Sequence, residues 1–82
     1  MELQKHLDGI WLIKNNGKQC GVLIDRDDFW EVEINYKRPI PYMKKDLKKG
    51  QLKQIITDSI NWDAYEVYSE YKARLRGFKI IG

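Results

Sequence analysis

Between residues 37 and 53 the chain sets Lys37, Arg38, Lys44, Lys45, Lys48, Lys49 and Lys53 against one carboxylate, Asp46. Ammonium groups at that density can neutralise several phosphates and release the counterions condensed on a polyanion, which gives a salt-sensitive association. Lysine dominates over arginine here, so the contacts are point charges rather than planar forks reading guanine edges, and binding of this type tolerates base sequence. Tyr42 lies between the prolines and the lysines and is the ring best placed to stack on a base, a contact that contributes roughly 1 to 3 kcal/mol. The competing reading of the segment is a solvated connection that its lysines keep soluble.

Other residues with chemical potential are less well spaced. Asp25, Asp27 and Asp28 flank Arg26 and offer oxygen ligands, but the later glycine and bidentate glutamate of a calcium loop are missing, so a polar turn accounts for them. Asp28, Glu31 and Glu33 have no lysine after Glu33 at the short spacing of a metal-dependent nuclease. His6 and Cys20 are the only residues of their kinds, and a nucleophilic pair needs them within hydrogen-bond reach of each other and of an orienting group. Nothing in the spacing provides that. The expectation is a non-catalytic protein with no metal and no cofactor.

The charge changes sign along the chain. Residues 1–36 carry a balance of −3 and the remainder +6, within a total of +3. Eighty-two residues make one domain, because two would each fall near the lower limit for independent folding. A hydrophobic share of 43% is too high for a disordered chain and marks a globular one. A single cysteine excludes an internal disulfide and a cysteine-based zinc cluster, which suits a reducing compartment. The short apolar run Ile10 to Ile13 resembles neither a signal peptide nor a membrane span, so the cytoplasm is the expected location. Alanine occurs only at Ala64 and Ala73 while Lys, Ile, Asn and Tyr are plentiful, a bias that AT-rich genomes produce, those of many phages and mobile elements included.

The elements that must position the lysines follow from periodicity. Residues 9–14 and 19–25 are β-branched and aromatic runs joined through Asn15-Asn16-Gly17-Lys18, where Asn-Gly accepts the positive φ of a tight hairpin. Cys20 alternates with Val22 and Ile24 and reads as a small buried thiol. After a turn at Arg26-Asp27-Asp28, the buried alternation Trp30, Val32, Ile34, Tyr36 defines a third strand with an acidic solvent face. Pro39 and Pro41 then end the ladder. A single helix over residues 44–60 would put the lysines on the same face as Leu52, Ile55, Ile56 and Ile60, so Gly50 is read as a break. Lys44 to Lys49 becomes a short turn and Gln51 to Asn61 a helix, with a strand at Leu52 to Thr57 as the alternative.

Asp63 to Arg76 has the strongest helical signature. Asp63 and Glu66 form a start like a capping box, Ala64, Val67, Tyr68, Tyr71 and Leu75 make one apolar stripe, and Gly77 closes it. Phe78 to Ile81 is apolar enough to dock as a fourth strand. The predicted architecture is α+β: a three- or four-stranded antiparallel sheet, built on an amino-terminal meander, with two carboxyl-terminal helices on one face.

Two functions fit this reading. The first is a small module that binds nucleic acid through the 37–53 segment, helped by Arg74, Arg76 and Lys79 if the last helix ends nearby. The second is a protein-binding inhibitor or adaptor of phage or mobile-element type, or a homodimer, suggested by the two-signed surface and the rich supply of aromatic residues.

Overall fold

A computed structural model describes residues 1–75. Five strands and two helices follow in order: β1 Glu2–Leu7, β2 Ile10–Asn15, β3 Lys18–Asp25, β4 Phe29–Ile34, β5 Ile40–Met43, a 3-10 turn at Lys44–Asp46, then α1 Gln51–Asn61 and α2 Ala64–Leu75. The strands form one antiparallel sheet in sequence order, with each pairing only its neighbours in the chain. The α+β architecture is therefore as predicted, but the sheet has five strands rather than three or four. The fourth strand expected at Phe78 to Ile81 lies outside the described residues.

Both extra strands are edges, and their position explains why sequence pattern hid them. β1 exposes five of its six residues, so it has almost no apolar alternation and reads as a polar lead. In β5, Pro41 sits opposite Glu31 while Ile40 and Tyr42 turn into the core. An edge strand has one row of backbone groups without a ladder partner, and proline is tolerated there. Pro39 and Pro41 thus do not end the sheet.

The β2–β3 hairpin forms as predicted, with Asn16 at φ 53° and Gly17 at φ 78°, the two left-handed positions that an Asn-Gly turn supplies. Further along, the β2–β3 register slips between Ile13 and Lys14, which pair with Gly21 and Gln19. Cys20 is the extra residue of that bulge. It packs with the core instead of following Val22 and Ile24, is half-buried, and points its thiol at the Ile13 carbonyl at 3.5 Å. Burial is the main cause that pushes this thiol up from its ordinary pKa.

The core lies between the sheet and the helices. Ile13, Leu23, Val32, Ile34, Ile40 and Tyr42 of the sheet meet Ile55, Ile56, Ala64 and Tyr71 of the helices. Tyr42 is its centre, fully buried, with its ring edge-on to Tyr68 at 5.8 Å and to Tyr71 at 5.1 Å, geometries worth about 0.5 to 1.5 kcal/mol each beyond area burial. The neighbouring Ser59 hydroxyl gives its proton to the Ile55 carbonyl at 2.8 Å, and the Tyr42 hydroxyl makes no hydrogen bond of sound geometry.

Burial pushes the Tyr42 pKa from 10.0 up to about 12, with a smaller opposing effect from Ser59. The raised value in the folded state means that stability is intact below the unfolded phenol's pKa and is lost as pH climbs from about 10 to about 12, a drop on the order of 2 kcal/mol. Tyr42→Phe keeps both ring contacts and should cost under about 1 kcal/mol at neutral pH. Urea midpoints measured from pH 9 to 12 should fall less in the variant than in the parent; parallel curves would contradict this.

Candidate nucleic-acid interface

The backbone divides the seven basic residues into three groups. Lys37 and Arg38 follow β4, Lys44 opens the 3-10 turn at the other end of β5, and Lys45, Lys48, Lys49 and Lys53 run from that turn into the first turn of α1. α1 has eleven residues, so its two ends are about 16 Å apart at 1.5 Å per residue. Lys37 lies at the far end, where its Nζ is 3.3 Å from Oδ2 of Asp63. The other oxygen of Asp63 accepts the backbone N–H of Tyr65 at 2.9 Å and of Glu66 at 3.3 Å, capping α2 as expected. These hydrogen bonds, with Tyr65 first and Lys37 next, hold the Asp63 carboxyl below its usual pKa. Lys37 is thus part of a structural corner, and Arg38 stands exposed beside it.

Lys44 is also occupied. Its ammonium pairs with Asp25 and lies 4.7 Å from the centre of the Trp30 ring, a cation–π contact that ties the start of the 3-10 turn to the sheet. Its backbone N–H donates to the Asp28 carbonyl at 2.9 Å. Asp25, Asp27 and Asp28 accordingly sit on the sheet side of this corner, with Asp25 committed to the lysine. Among the described residues no group of three or more His, Cys, Asp and Glu side chains could hold a metal ion. His6 and Cys20 lie on β1 and β3 with β2 between them, His6 near the Leu7–Ile10 end and Cys20 near the opposite one, so the structure does not bring them together.

Lys45, Lys48, Lys49 and Lys53 differ from the rest. All four are exposed, and among the described residues none forms an ion pair. Gly50 caps α1 in the left-handed conformation and separates the 3-10 turn from the helix, as the sequence predicts. Gln51 steadies the approach, its side-chain oxygen accepting the N–H of Lys48 at 3.0 Å. The first turn of α1 contains no acidic residue, so the positive end of the helix dipole adds to the lysines instead of being offset. These four exposed lysines, carried by the 3-10 turn, the loop after it and the first turn of α1, make up a basic ridge along the chain.

Two aromatic expectations are reversed. Tyr42, predicted as the free ring, is fully buried and cannot stack on a base. Tyr36, predicted as buried, is 86% exposed, because Asn35 and Tyr36 both turn to positive φ and end β4 at Ile34. Tyr36 stands next to Lys37, at the pole away from the ridge. Trp62, in the α1–α2 link, is likewise exposed, and it borders a cleft of about 460 Å³ between the helices whose other lining includes Asp58, Glu66 and Glu70. That acidic lining repels phosphate. Arg74 shares the cleft with Gln51, which puts the end of α2 beside the start of α1, but its guanidinium is engaged by Glu70 at 2.9 Å. Arg76 and Lys79 lie outside the described residues.

No helix among the described residues is long and apolar enough to cross a membrane. Comparison with known protein families, with curated proteins and with solved structures gives no match for this chain.

Proposed function

We propose that this protein is a non-catalytic module that binds nucleic acid through phosphate contacts of Lys45, Lys48, Lys49 and Lys53, with little preference for base sequence. The observation that carries the reading is the ridge itself: four exposed lysines within nine residues, none tied to a carboxylate among the described residues. The interface is smaller than the full 37–53 segment. Lys37 and Lys44 have structural partners, Arg38 lies at the other end of α1, and Tyr42 is buried.

Four phosphate contacts on a duplex give a slope of log K against log salt of about −3.6. Affinity for a mixed-sequence duplex should therefore fall roughly a hundredfold between about 50 and 200 mM salt. A fluorescence-anisotropy titration at several salt concentrations measures this, and exchanging the base sequence should leave the curves superimposed. Binding that ignores salt, or that is absent at about 50 mM, removes the proposal.

The second reading, a protein-binding inhibitor or adaptor, draws on a separate observation. Both helices pack on one face of the sheet, and the other face carries half-buried aliphatic side chains on β2 and β3.

A further inference from the structure

The cleft between α1 and α2 has a floor and rims of different chemistry. Val67, Tyr71 and Leu75 recur every fourth residue along α2 and make an apolar row, while Glu66 and Glu70 stand in the row beside it. Asp58 and Trp62 face them from the α1 side. Two of the apolar side chains are poorly covered, since Trp62 is 69% exposed and Leu75 46%. Among the described residues Asp58 and Glu66 form no ion pair. The Asp58 carboxylate accepts the neutral Gln54 amide at 2.9 Å, whereas Glu70 already holds Arg74. A cleft of about 460 Å³ with an apolar floor and two uncompensated carboxylates suits an occupant that is both apolar and cationic.

We infer that this occupant is the chain's own segment 76–82, Arg-Gly-Phe-Lys-Ile-Ile-Gly, turned back along the cleft at Gly77. Position, composition and length all favour it. The segment follows directly on Leu75, which with Arg74 and Gln51 lines one end of the cleft, and a glycine is the residue type that reverses a chain at a helix end. It carries Arg76 and Lys79 and no carboxylate. In an extended run Phe78 and Ile80 share one face and Lys79 and Ile81 the other, so the first pair lies on the apolar floor and Lys79 stays at the rim.

The helical rise puts Asp58 about 10 Å and Glu66 about 13 Å from the end where the segment enters. An extended chain advances about 3.3 Å per residue, which brings Lys79 about 7 Å in, its long side chain reaching towards both carboxylates, and Ile81 level with Glu66. The lysine ridge runs into α1 at the Gln51 end and repels the same segment, so the field also directs it into the cleft. Docking there sets the segment against the helices rather than the sheet. Lys79 then serves the fold, and the inference stands whether or not the ridge binds nucleic acid.

A disulfide measures the docking directly. In the full chain with Cys20→Ser, Glu66→Cys is combined with Ile81→Cys, and the link is equilibrated against glutathione to give the effective concentration of the two thiols. The control pairs Ser69→Cys with Ile81→Cys: Ser69 is exposed on the side of α2 turned away from the cleft, yet it is nearer to Ile81 in sequence, so an undocked segment links to it at least as readily. The cleft pair should exceed the control by at least about tenfold. Equal values overturn the inference, and so does a link that forms between two molecules instead of within one.

A second measurement needs no change at Cys20. Lys79→Glu places a third negative charge among Asp58 and Glu66 and should lower the urea midpoint at low salt, and adding Glu66→Lys should recover it. The double-mutant cycle should show a coupling of about two- to fivefold in the folding equilibrium. Strictly additive effects mean that Lys79 does not meet Glu66 and also overturn the inference.

Discussion

Gly21→Ala is expected to lower the melting temperature by about 15 °C, the loss of roughly 3 kcal/mol from a domain of this size. A Cβ built on Gly21 lies 2.1 Å from the Glu33 carbonyl oxygen, 3.2 Å from its carbon and 3.0 Å from Cδ1 of Ile34. The side-chain atom could rotate away, but the carbonyl belongs to the neighbouring strand β4 and can move only if the β3–β4 ladder opens. Gly21 is buried next to the Cys20 bulge, a kind of irregularity that bends a strand locally. Total stability for a chain of this length is about 4 to 12 kcal/mol, so the effect is a large fraction of it. Gly17→Ala is the contrasting variant: its φ is positive, but nothing lies within 4 Å, and it should cost only about 1 kcal/mol. Urea and thermal denaturation followed by circular dichroism compare them. Equal stabilities for the two variants would show that the strand can give way at Gly21.

Local signals with a short range were legible in the sequence, and those that depend on position in the sheet were not. The Asn16-Gly17 hairpin, the break at Gly50, the whole extent of α1 and the Asp63 cap on α2 were all readable, because each is settled by a few adjacent residues. β1 and β5 were missed because an edge strand needs neither apolar alternation nor a donor at every residue. Tyr36 and Tyr42 invert for two reasons: the apolar alternation of β4 runs on in the sequence two residues past the end of the strand at Ile34, and the prolines beside Tyr42 disguise an edge strand through which it anchors α2 to the sheet. A glycine inside the otherwise β-branched run of β3 marks a bulge or a close backbone approach, and at Gly21 both occur together.

For the candidate interface, the sequence showed the composition of the basic segment but not its division. Linear density treats Lys37 and Lys53 as members of one patch, whereas β5 and α1 carry the chain from one pole to the other and back. Which lysines meet carboxylates is a tertiary matter: Asp25 and Asp63, the partners of Lys44 and Lys37, lie nineteen and twenty-six residues from them. The ridge is what remains after those pairings.

Reversing that ridge is the decisive functional test. Lys45→Glu, Lys48→Glu, Lys49→Glu and Lys53→Glu together move the net charge from +3 to −5 and should reduce affinity for a duplex by more than about a hundredfold at 50 mM salt, flattening its salt dependence as the contacts vanish. Unfolding would not explain such a loss. All four positions are exposed, and Glu at Lys48, Lys49 and Lys53 places negative charge at the amino-terminal end of α1, where the helix dipole favours it. The melting temperature should accordingly hold or rise slightly. Net charge alone is controlled by Lys14→Glu with Lys18→Glu on the β2–β3 hairpin, at the other end of the sheet from Asp25. That pair should weaken binding only severalfold, through the long-range field. If the ridge variant and the hairpin variant lose affinity in proportion to their charge, the lysines act only as a diffuse field and there is no interface at this pole. If the ridge variant still binds as the parent does, the phosphate contacts assigned to it do not exist.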